Sequence, residues 1–306
     1  MEAILWKAFA FLFIIALSFT LKKRGFFGPG SAETVTKIAM NITMPAAVIS
    51  SFAQFQKDNS LFLLVAFGLG FNAFMLFFGF LVSRRKSRDR KVFYLMNFPG
   101  YNIGSFTLPF VQNFFGPLGV VATCLFDTGN SIMCTGGTYA IASGIVGGDG
   151  GERLTFRDIL RRLFSSVPFD TYLLMLILVL VGIPIPAPVG IVASTIGAAN
   201  GFMAMMMLGM MFRFEAKASY LKDAGLTLLA RYLFAGALSA LFYYCTPFSL
   251  ELRQVLAIIV FAPTSALAPA FTAKNKGDAG LASFTGTVSL LLSITIMTVL
   301  MVAMHI

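Results

Sequence analysis

The chain of 306 residues is poor in the side chains that enzymes and metal sites use most often. It contains one histidine, three cysteines and one tryptophan. The histidine, His305, lies at the C-terminal end, no HExxH motif occurs, and the cysteines have neither metal-ligand spacing nor the pattern of a disulfide framework. The composition therefore argues against an enzyme, and it predicts no cofactor and no bound metal.

Charge is also scarce, and acidic charge most of all. Only 12% of the residues are charged, with 13 acidic against 23 basic side chains. A net charge of +10 would suit a nucleic-acid partner, but the basic residues form short clusters between apolar segments and do not follow one face. We therefore expect no nucleic-acid partner. With 58% hydrophobic residues and a mean hydropathy of +0.84, the composition is typical of an integral membrane protein.

The apolar segments are long enough to cross about 30 Å of hydrocarbon. They predict an all-α integral membrane fold of ten transmembrane helices, near residues 3–21, 33–53, 60–83, 92–113, 117–145, 163–183, 189–211, 224–245, 253–273 and 279–304. The first segment ends in Lys22, Lys23 and Arg24 without a small-residue cleavage site, so we interpret it as a spanning helix and not as a signal peptide.

The basic residues alternate between the two sides of these ten spans. Nineteen of the 23 lie in or beside the odd-numbered loops, whereas only Lys57 and Arg253 lie in or beside the even-numbered loops. By the positive-inside rule the odd-numbered loops are cytoplasmic. This predicts a multi-pass protein of the inner (plasma) membrane with both termini outside.

Two spans that lie five positions apart carry an unusual pair of prolines with small and polar residues between them. Span 4 contains Pro99 and Pro109, and span 9 contains Pro263 and Pro269. An odd number of spans per repeat places the two halves in opposite orientation, which is typical of inverted-repeat transporters. The predicted units are residues 1–146, a cytoplasmic linker at 147–162 with an amphipathic basic segment, and residues 163–306.

Proline inside a helix removes an amide donor and clashes with the preceding turn, at a cost of about 3 kcal/mol or more. We therefore expect helices 4 and 9 to be broken and to cross near the membrane centre, since carriers bind substrate at such breaks. Simple proline kinks in continuous helices are the alternative. The predicted substrate-binding residues are Asn102, Gly104, Ser105, Pro109, Pro263, Thr264 and Ser265.

A carboxylate lies deep in predicted span 5. Asp127 is about ten residues into that span, away from either predicted surface, and Asn130 follows on a similar helical face. Because a charge at this depth costs about 2.5 to 3.5 kcal/mol, it should face a cavity or a partner. We predict that Asp127 and Asn130 couple transport to H⁺ or Na⁺. A structural hydrogen bond from a permanently protonated Asp127 is the alternative.

Two further ionisable residues are secondary candidates. Asp170, two residues after Pro168, could cap span 6 or bind an ion. Arg231 lies two turns inside span 8, and we expect it to extend to the interface, with pairing to Asp170 or attraction of an anionic substrate as alternatives.

Several short motifs resemble the auxin efflux carrier family, the bacterial relatives of plant PIN-type auxin exporters. They are the run Asn41-Ile42-Thr43-Met44-Pro45-Ala46-Ala47, the pattern Asn102-Ile103-Gly104 with Leu108-Pro109, Ala262-Pro263 with Ala266, and Gly277-Asp278 with Ala282-Ser283. Pro45 joins the secondary candidates on this ground. The resemblance covers essentially the whole chain through the order and spacing of the motifs.

The resemblance implies two inverted five-helix repeats whose helices 4 and 9 cross near the membrane centre, an architecture shared with bile-acid and sodium/proton transporters. It implies a secondary transporter for a small organic anion, with auxin carried in plants and dicarboxylates such as malonate or malate proposed for bacteria. The short loop at residues 146–162 favours a bacterial member.

Other functions stay open from the sequence. A sodium-coupled bile-acid-type symporter, or a channel or receptor built on the same broken helices, would show the same pattern. The expected partners are a small organic anion and the lipid bilayer, and a homodimer is one of the assemblies open to the chain.

Overall fold

A computed structural model describes residues 2–55, 59–146, 155–212 and 217–306 of the chain. Within these ranges the chain is helical and contains no β-strand. The sixteen α-helices of the described residues are α1 (Glu2–Lys23), α2 (Ser31–Ile38), α3 (Met44–Ala53), α4 (Leu63–Ser83), α5 (Arg88–Asn97), α6 (Leu108–Phe114), α7 (Pro117–Ile132), α8 (Thr138–Val146), α9 (Phe156–Leu163), α10 (Val167–Val181), α11 (Ala187–Gly197), α12 (Asn200–Met211), α13 (Leu221–Cys245), α14 (Leu250–Ile259), α15 (Ala268–Lys274) and α16 (Ala279–Ala303).

Three π-helical turns connect or precede these helices. Ala39–Thr43 joins α2 to α3, Ile103–Thr107 precedes α6, and Met133–Gly137 joins α7 to α8. Single π-helical turns inside α-helices are frequent at functional sites. Two of the three lie in the predicted spans 4 and 5, which carry Asn102 and Asp127.

Six helical segments of the described chain are long and apolar enough to cross a membrane. They are Glu2–Lys23, Ser31–Ala53, Leu63–Ser83, Ala187–Met211, Ala218–Cys245 and Ala279–Ala303, and the pair α9 and α10, bent by 80°, makes a seventh if it is one span. The chain is thus a multi-pass helical membrane protein, and the count of ten spans stays a prediction. The predicted spans 4, 5 and 9 are divided into shorter pieces, which explains the difference.

Apolar side chains lie on the outside of the helix bundle and polar side chains lie inside it, as expected for a protein surrounded by lipid. Large apolar residues cover the outside of α1, where Trp6 is 69% and Phe9 is 56% exposed. Inside the bundle, by contrast, Asn72, Asn97 and Asn130 are almost completely buried. Polar groups therefore lie between helices, where they find partners that hydrocarbon does not offer.

The prolines of the two predicted breaks have two different roles. Pro109 and Pro269 lie in the first turns of α6 and α15, where the missing N–H group has no helical partner to lose. Pro99 and Pro263 lie in the non-helical segments before those helices. Each pair of prolines thus brackets a stretch in which the chain leaves the helix.

The predicted cytoplasmic linker is described only in part, since residues 147–154 lie outside the described ranges. Its second half forms α9, which begins at a capping box between Thr155 and Asp158. Phe156 is 74% exposed, and Arg157 and Arg161 lie on the same short helix. This pattern is typical of a helix that lies in a membrane interface.

Helices α4 and α7 pack closely enough that glycine is needed on both. A Cβ atom on Gly68 would lie 2.0 Å from the carbonyl oxygen of Phe126, and one on Gly129 would lie 2.0 Å from that of Val65. Small residues of this kind allow close backbone approach between membrane helices. The contact matters for function because α7 carries Asp127 and Asn130.

We predict that Gly68→Ala lowers the thermal stability of the detergent-purified protein. A methyl group at this position forces α4 and α7 apart, and overpacking of this kind costs about 1 to 3 kcal/mol. Gly70→Ala on the same helix is the control, because a Cβ atom there meets nothing within 4 Å. Equal melting temperatures for the two variants would contradict the close packing.

Candidate functional site

The two interruptions of helix meet each other in the structure. The first, residues 98–102, follows α5, and the second, residues 260–267, follows α14. Tyr101 and Thr264 form an isolated antiparallel bridge, and the amide of Asn102 donates to the carbonyl of Pro263 at 2.8 Å. We call this meeting of the two segments the crossing.

The side-chain amide of Asn130 on α7 bonds both backbone groups of Tyr101, which is the pattern that a neighbouring β-strand would provide. Its Oδ1 accepts from the amide of Tyr101 at 3.0 Å, and its Nδ2 donates to the carbonyl of the same residue at 2.9 Å. Asn72 of α4 adds a third contact, since its Oδ1 accepts from the amide of Gly100 at 2.5 Å. Two buried amide side chains thus replace the helical hydrogen bonds that this segment lacks.

Asp127 extends the same polar group toward α10. Asn130 Nδ2 donates to Asp127 Oδ1 at 2.7 Å, and the hydroxyl of Tyr172 donates to Asp127 Oδ2 at 3.2 Å. Gly104 lies against this pair, because a Cβ atom there would come within 3.5 Å of Asp127 Oδ2 and of the Tyr172 hydroxyl. The carboxyl group of Asp127 is therefore connected through Asn130 to the backbone of the crossing.

The expectation that Arg231 extends to the membrane interface is wrong. Its side chain is only 5% exposed, and its Nη1 and Nη2 donate to the carbonyls of Phe98 and Gly100. The guanidinium also lies 5.0 Å from the centre of the Tyr101 ring. The physical reason is that the two carbonyls would lose their buried donors if the side chain turned to the interface. Among the described residues Arg231 forms no ion pair with Asp170.

The second segment is supported by hydroxyl groups from α16. Ser289 Oγ accepts from the amide of Thr264 at 3.1 Å, and Ser293 Oγ donates to the carbonyl of Phe261 at 2.6 Å. The hydroxyl of Tyr232 on α13 lies 3.1 Å from the hydroxyl oxygen of Ser289 and 3.0 Å from that of Ser293. Both segments are thus held by side chains that begin on neighbouring helices.

A cavity of about 620 Å³ adjoins the crossing. Its polar lining includes Asn102, Thr264, Ser265 and Lys22, and its apolar lining includes the end of α12 at Met210, Met211 and Phe212. The Thr264 hydroxyl is buried without a hydrogen-bond partner, and no described residue bonds the side-chain amide of Asn102. These free polar groups can bind a small polar ligand.

The charge that lines the cavity is positive. Of the described residues that line it, only Lys22 is charged, and its Nζ donates to the carbonyl of Met210 at 2.6 Å. A cation at the edge of a largely apolar cavity attracts an anionic ligand. In the described ranges no group of three or more His, Cys, Asp or Glu side chains could hold a metal ion.

Four of the seven predicted substrate residues line this cavity, namely Asn102, Pro263, Thr264 and Ser265. The other three do not. Gly104 faces Asp127, Ser105 contacts the sulfur of Met40 at 3.7 Å, and Pro109 is buried in the first turn of α6.

The remaining candidates are placed as follows. Pro45 lies in the first turn of α3 and lines a separate cavity of about 520 Å³. Asp170 lies in the first turn of α10, makes no side-chain capping bond, and has a buried Oδ1 without a partner among the described residues.

Sequence reasoning missed Tyr172, Lys22 and the two serines of α16. Ser289 and Ser293 had a usable signal, because two hydroxyls four residues apart in an apolar span lie on one helical face. The position of Lys22 at the end of an apolar span indicates topology and gives no sign of a binding role. Nothing in the sequence brings Tyr172 to Asp127, since 45 residues separate them.

Comparison with known proteins gives two findings. Residues 4–148 match a family described as membrane transport protein. The chain is also similar to an uncharacterized transporter of Methanothermobacter thermautotrophicus, with 24% identity over 300 residues that cover 95% of this chain and 96% of the relative.

We predict that Asn130→Ala lowers the thermal stability of the purified protein more than Thr135→Ala does. The first variant leaves buried groups of Tyr101 without partners, at about 1 to 3 kcal/mol for each group. Thr135 is the control, because its hydroxyl donates to the carbonyl of Ser131, only four residues earlier in the chain. A melting temperature of the Asn130 variant equal to that of the control would contradict this role.

Proposed function

We propose that the chain is a member of the auxin efflux carrier family and a secondary carrier for a small organic anion such as a carboxylate, as its similarity to a membrane transport protein family and to a transporter supports. The matched family and the relative are membrane transporters, which supports a non-enzymatic transporter in a bilayer with a small-molecule substrate. The class of substrate and the mechanism are our proposal.

One observation carries the proposal, namely the cavity beside the crossing. It combines the cation of Lys22 with the side-chain amide of Asn102 and the unpaired hydroxyl of Thr264. A carboxylate needs donors of these kinds, and charge-assisted hydrogen bonds are stronger than neutral ones. The apolar end of α12 offers a surface for the rest of the substrate.

The position of the cavity suggests how access alternates. Lys22 and Phe212 lie at the ends of helices next to loops 1 and 7, which the basic residues predict to be cytoplasmic. We propose that this conformation is open to the cytoplasm. In the outward-open state the same crossing would face the other side, as expected for two inverted repeats of five spans, residues 1–146 and 163–306.

The proposal includes the inner-membrane location with both termini outside, and proton coupling through Asp127. Asp127 is joined to the crossing through Asn130, and to α10 through the hydroxyl of Tyr172. A change in the protonation of Asp127 therefore changes its hydrogen bond with Tyr172, which joins α7 to α10. Sodium coupling is the competing outcome of the experiments below.

We predict that Asn102→Ala and Lys22→Gln each weaken the binding of the transported anion by about tenfold, because the first removes a donor to a carboxylate and the second replaces a charged donor by a neutral one. Auxin, malonate, malate and other mono- and dicarboxylates are first screened by thermal shift. Counterflow of the radiolabelled hit in proteoliposomes then gives the apparent affinity, and saturable exchange separates a carrier from a channel.

The matched controls are neighbours of the same type. Lys23→Gln removes an adjacent cation that does not line this cavity, and Asn113→Ala removes an amide that donates to its own helix at Pro109. If the controls weaken binding as much as Lys22→Gln and Asn102→Ala, or if no anion is exchanged, the proposed site is wrong.

We predict that Asp127→Asn abolishes the response of transport to an imposed pH gradient, while exchange of substrate at equal pH continues. The amide has no proton to give up, yet it still offers an oxygen to Tyr172. Uptake is measured in proteoliposomes with and without the gradient and with Na⁺ or K⁺ outside. Asp158→Asn, on the exposed helix α9, is the control.

Full pH-dependent transport by the Asp127 variant would exclude the coupling role and favour a structural hydrogen bond. A wild-type response to Na⁺ and not to the pH gradient would favour the sodium-coupled alternative.

A further inference from the structure

The end of α5 presents a concentration of negative carbonyl dipoles inside the protein. The last carbonyls of any helix lack helical donors and carry the negative end of its dipole. Here the helix ends at Asn97, and Gly100 then takes a left-handed conformation with φ of 86°. Two carbonyls of this turn, those of Phe98 and Gly100, point toward one side chain, Arg231.

Arg231 is a buried cation without a counter-carboxylate. In the described part of the chain it forms no ion pair. Its charge is instead balanced by the two carbonyls and by the face of the Tyr101 ring at 5.0 Å. A charge so placed inside a membrane protein is expensive unless it has such partners, and it is a functional candidate for that reason.

Carbonyl oxygens at the end of an interrupted helix are also what monovalent cations bind in carriers of this general design. In this chain the guanidinium already occupies those oxygens. We infer that Arg231 is a resident cation of the crossing, a positioning residue that takes the place of a bound Na⁺ and makes assembly of the substrate site independent of sodium. The inference rests on the proposed carrier function.

The sequence order explains how Arg231 acts on the site. The bound carbonyls belong to Phe98 and Gly100, and Asn102 with its free amide follows two residues later. Arg231 bonds the carbonyl of Gly100, Asn72 bonds the amide of Gly100, and Asn130 bonds the amide of Tyr101, so the backbone just before Asn102 is held at three points.

The second segment of the crossing has a different arrangement. Its amide and carbonyl groups at Thr264 and Phe261 are bonded by the neutral hydroxyls of Ser289 and Ser293. The cation is therefore confined to the first segment. Arg231 of α13 bonds the first segment directly, and the adjacent Tyr232 bonds Ser289 and Ser293, which hold the second segment, so one helix supports both.

The test compares wild type, Arg231→Ala and Arg253→Ala in proteoliposomes, with exchange of the anion found by the screen as the readout. We expect wild-type exchange to be unchanged when K⁺ or choline replaces Na⁺. Arg231→Ala should lose about tenfold or more, because two buried carbonyls lose a charged donor, and millimolar guanidinium should restore part of the loss. Arg253 also donates to a carbonyl, that of Tyr243 at 3.1 Å, but Arg253→Ala should show neither effect.

A second readout needs no substrate. The sulfur of Cys134 lies beside Gly100, 3.3 Å from where a Cβ atom would be, while Cys124 is buried and Cys245 is exposed. In a Cys245→Ser background, we expect Arg231→Ala to react with a membrane-permeant maleimide at Cys134 several-fold faster than the parent. Guanidinium should slow that reaction.

The outcomes separate the two proposals. Faster labelling that guanidinium reverses, with no exchange of any carboxylate, would support the positioning role and refute the proposed substrate class. Sodium-dependent wild-type exchange, or labelling and exchange of Arg231→Ala at the parent rate, would overturn the resident cation. Should Arg231→Ala not fold, Arg231→Gln replaces it, and exchange and labelling of that neutral variant at the parent rate would overturn the resident cation.

Discussion

Backbone groups that leave a helix inside an apolar surrounding must find partners within the protein, because each buried group left unpaired costs about 1 to 3 kcal/mol. The structure of this chain depends on that constraint at one place, where residues 98–102 and 260–267 meet. Part of the need is met by the segments themselves, through the bond from Asn102 to Pro263. The rest is met by α4, α7, α13 and α16, which explains why buried polar side chains of these helices converge there.

The two segments satisfy the constraint with different chemistry, and the difference has functional meaning. Amides and a guanidinium hold the first segment, through Asn72, Asn130 and Arg231. Hydroxyls hold the second, through Ser289 and Ser293. The side chains of Asn102 and Thr264, which are not used in this support, are the ones left for a ligand. A site that binds a small molecule thus arises from the polar groups that the architecture does not itself use.

Close helix packing supports the same place from a distance. Gly68 and Gly129 allow α4 and α7 to approach until backbone meets backbone, and this approach brings Asn72 within 3.0 Å of Asn130. Asn72 and Asn130 bond each other and also the backbone of Gly100 and Tyr101. They can do both only because α4 and α7 are this close. The two glycines have no side chain to offer a ligand, yet they are needed for the geometry of the site.

The sequence by itself determined the membrane class, the helical content and the positions of the two interruptions, because these depend on local properties such as apolar length and proline placement. It also identified Asn102, Thr264 and Asp127 as polar residues at unusual depth. Only the tertiary structure decided which of them share a cavity, that Arg231 turns inward to Phe98 and Gly100, and that Tyr172 reaches Asp127. Those contacts join residues that are 45 to 133 positions apart in the chain. The direction of a long side chain depends on such distant partners, and no local sequence pattern contains that information.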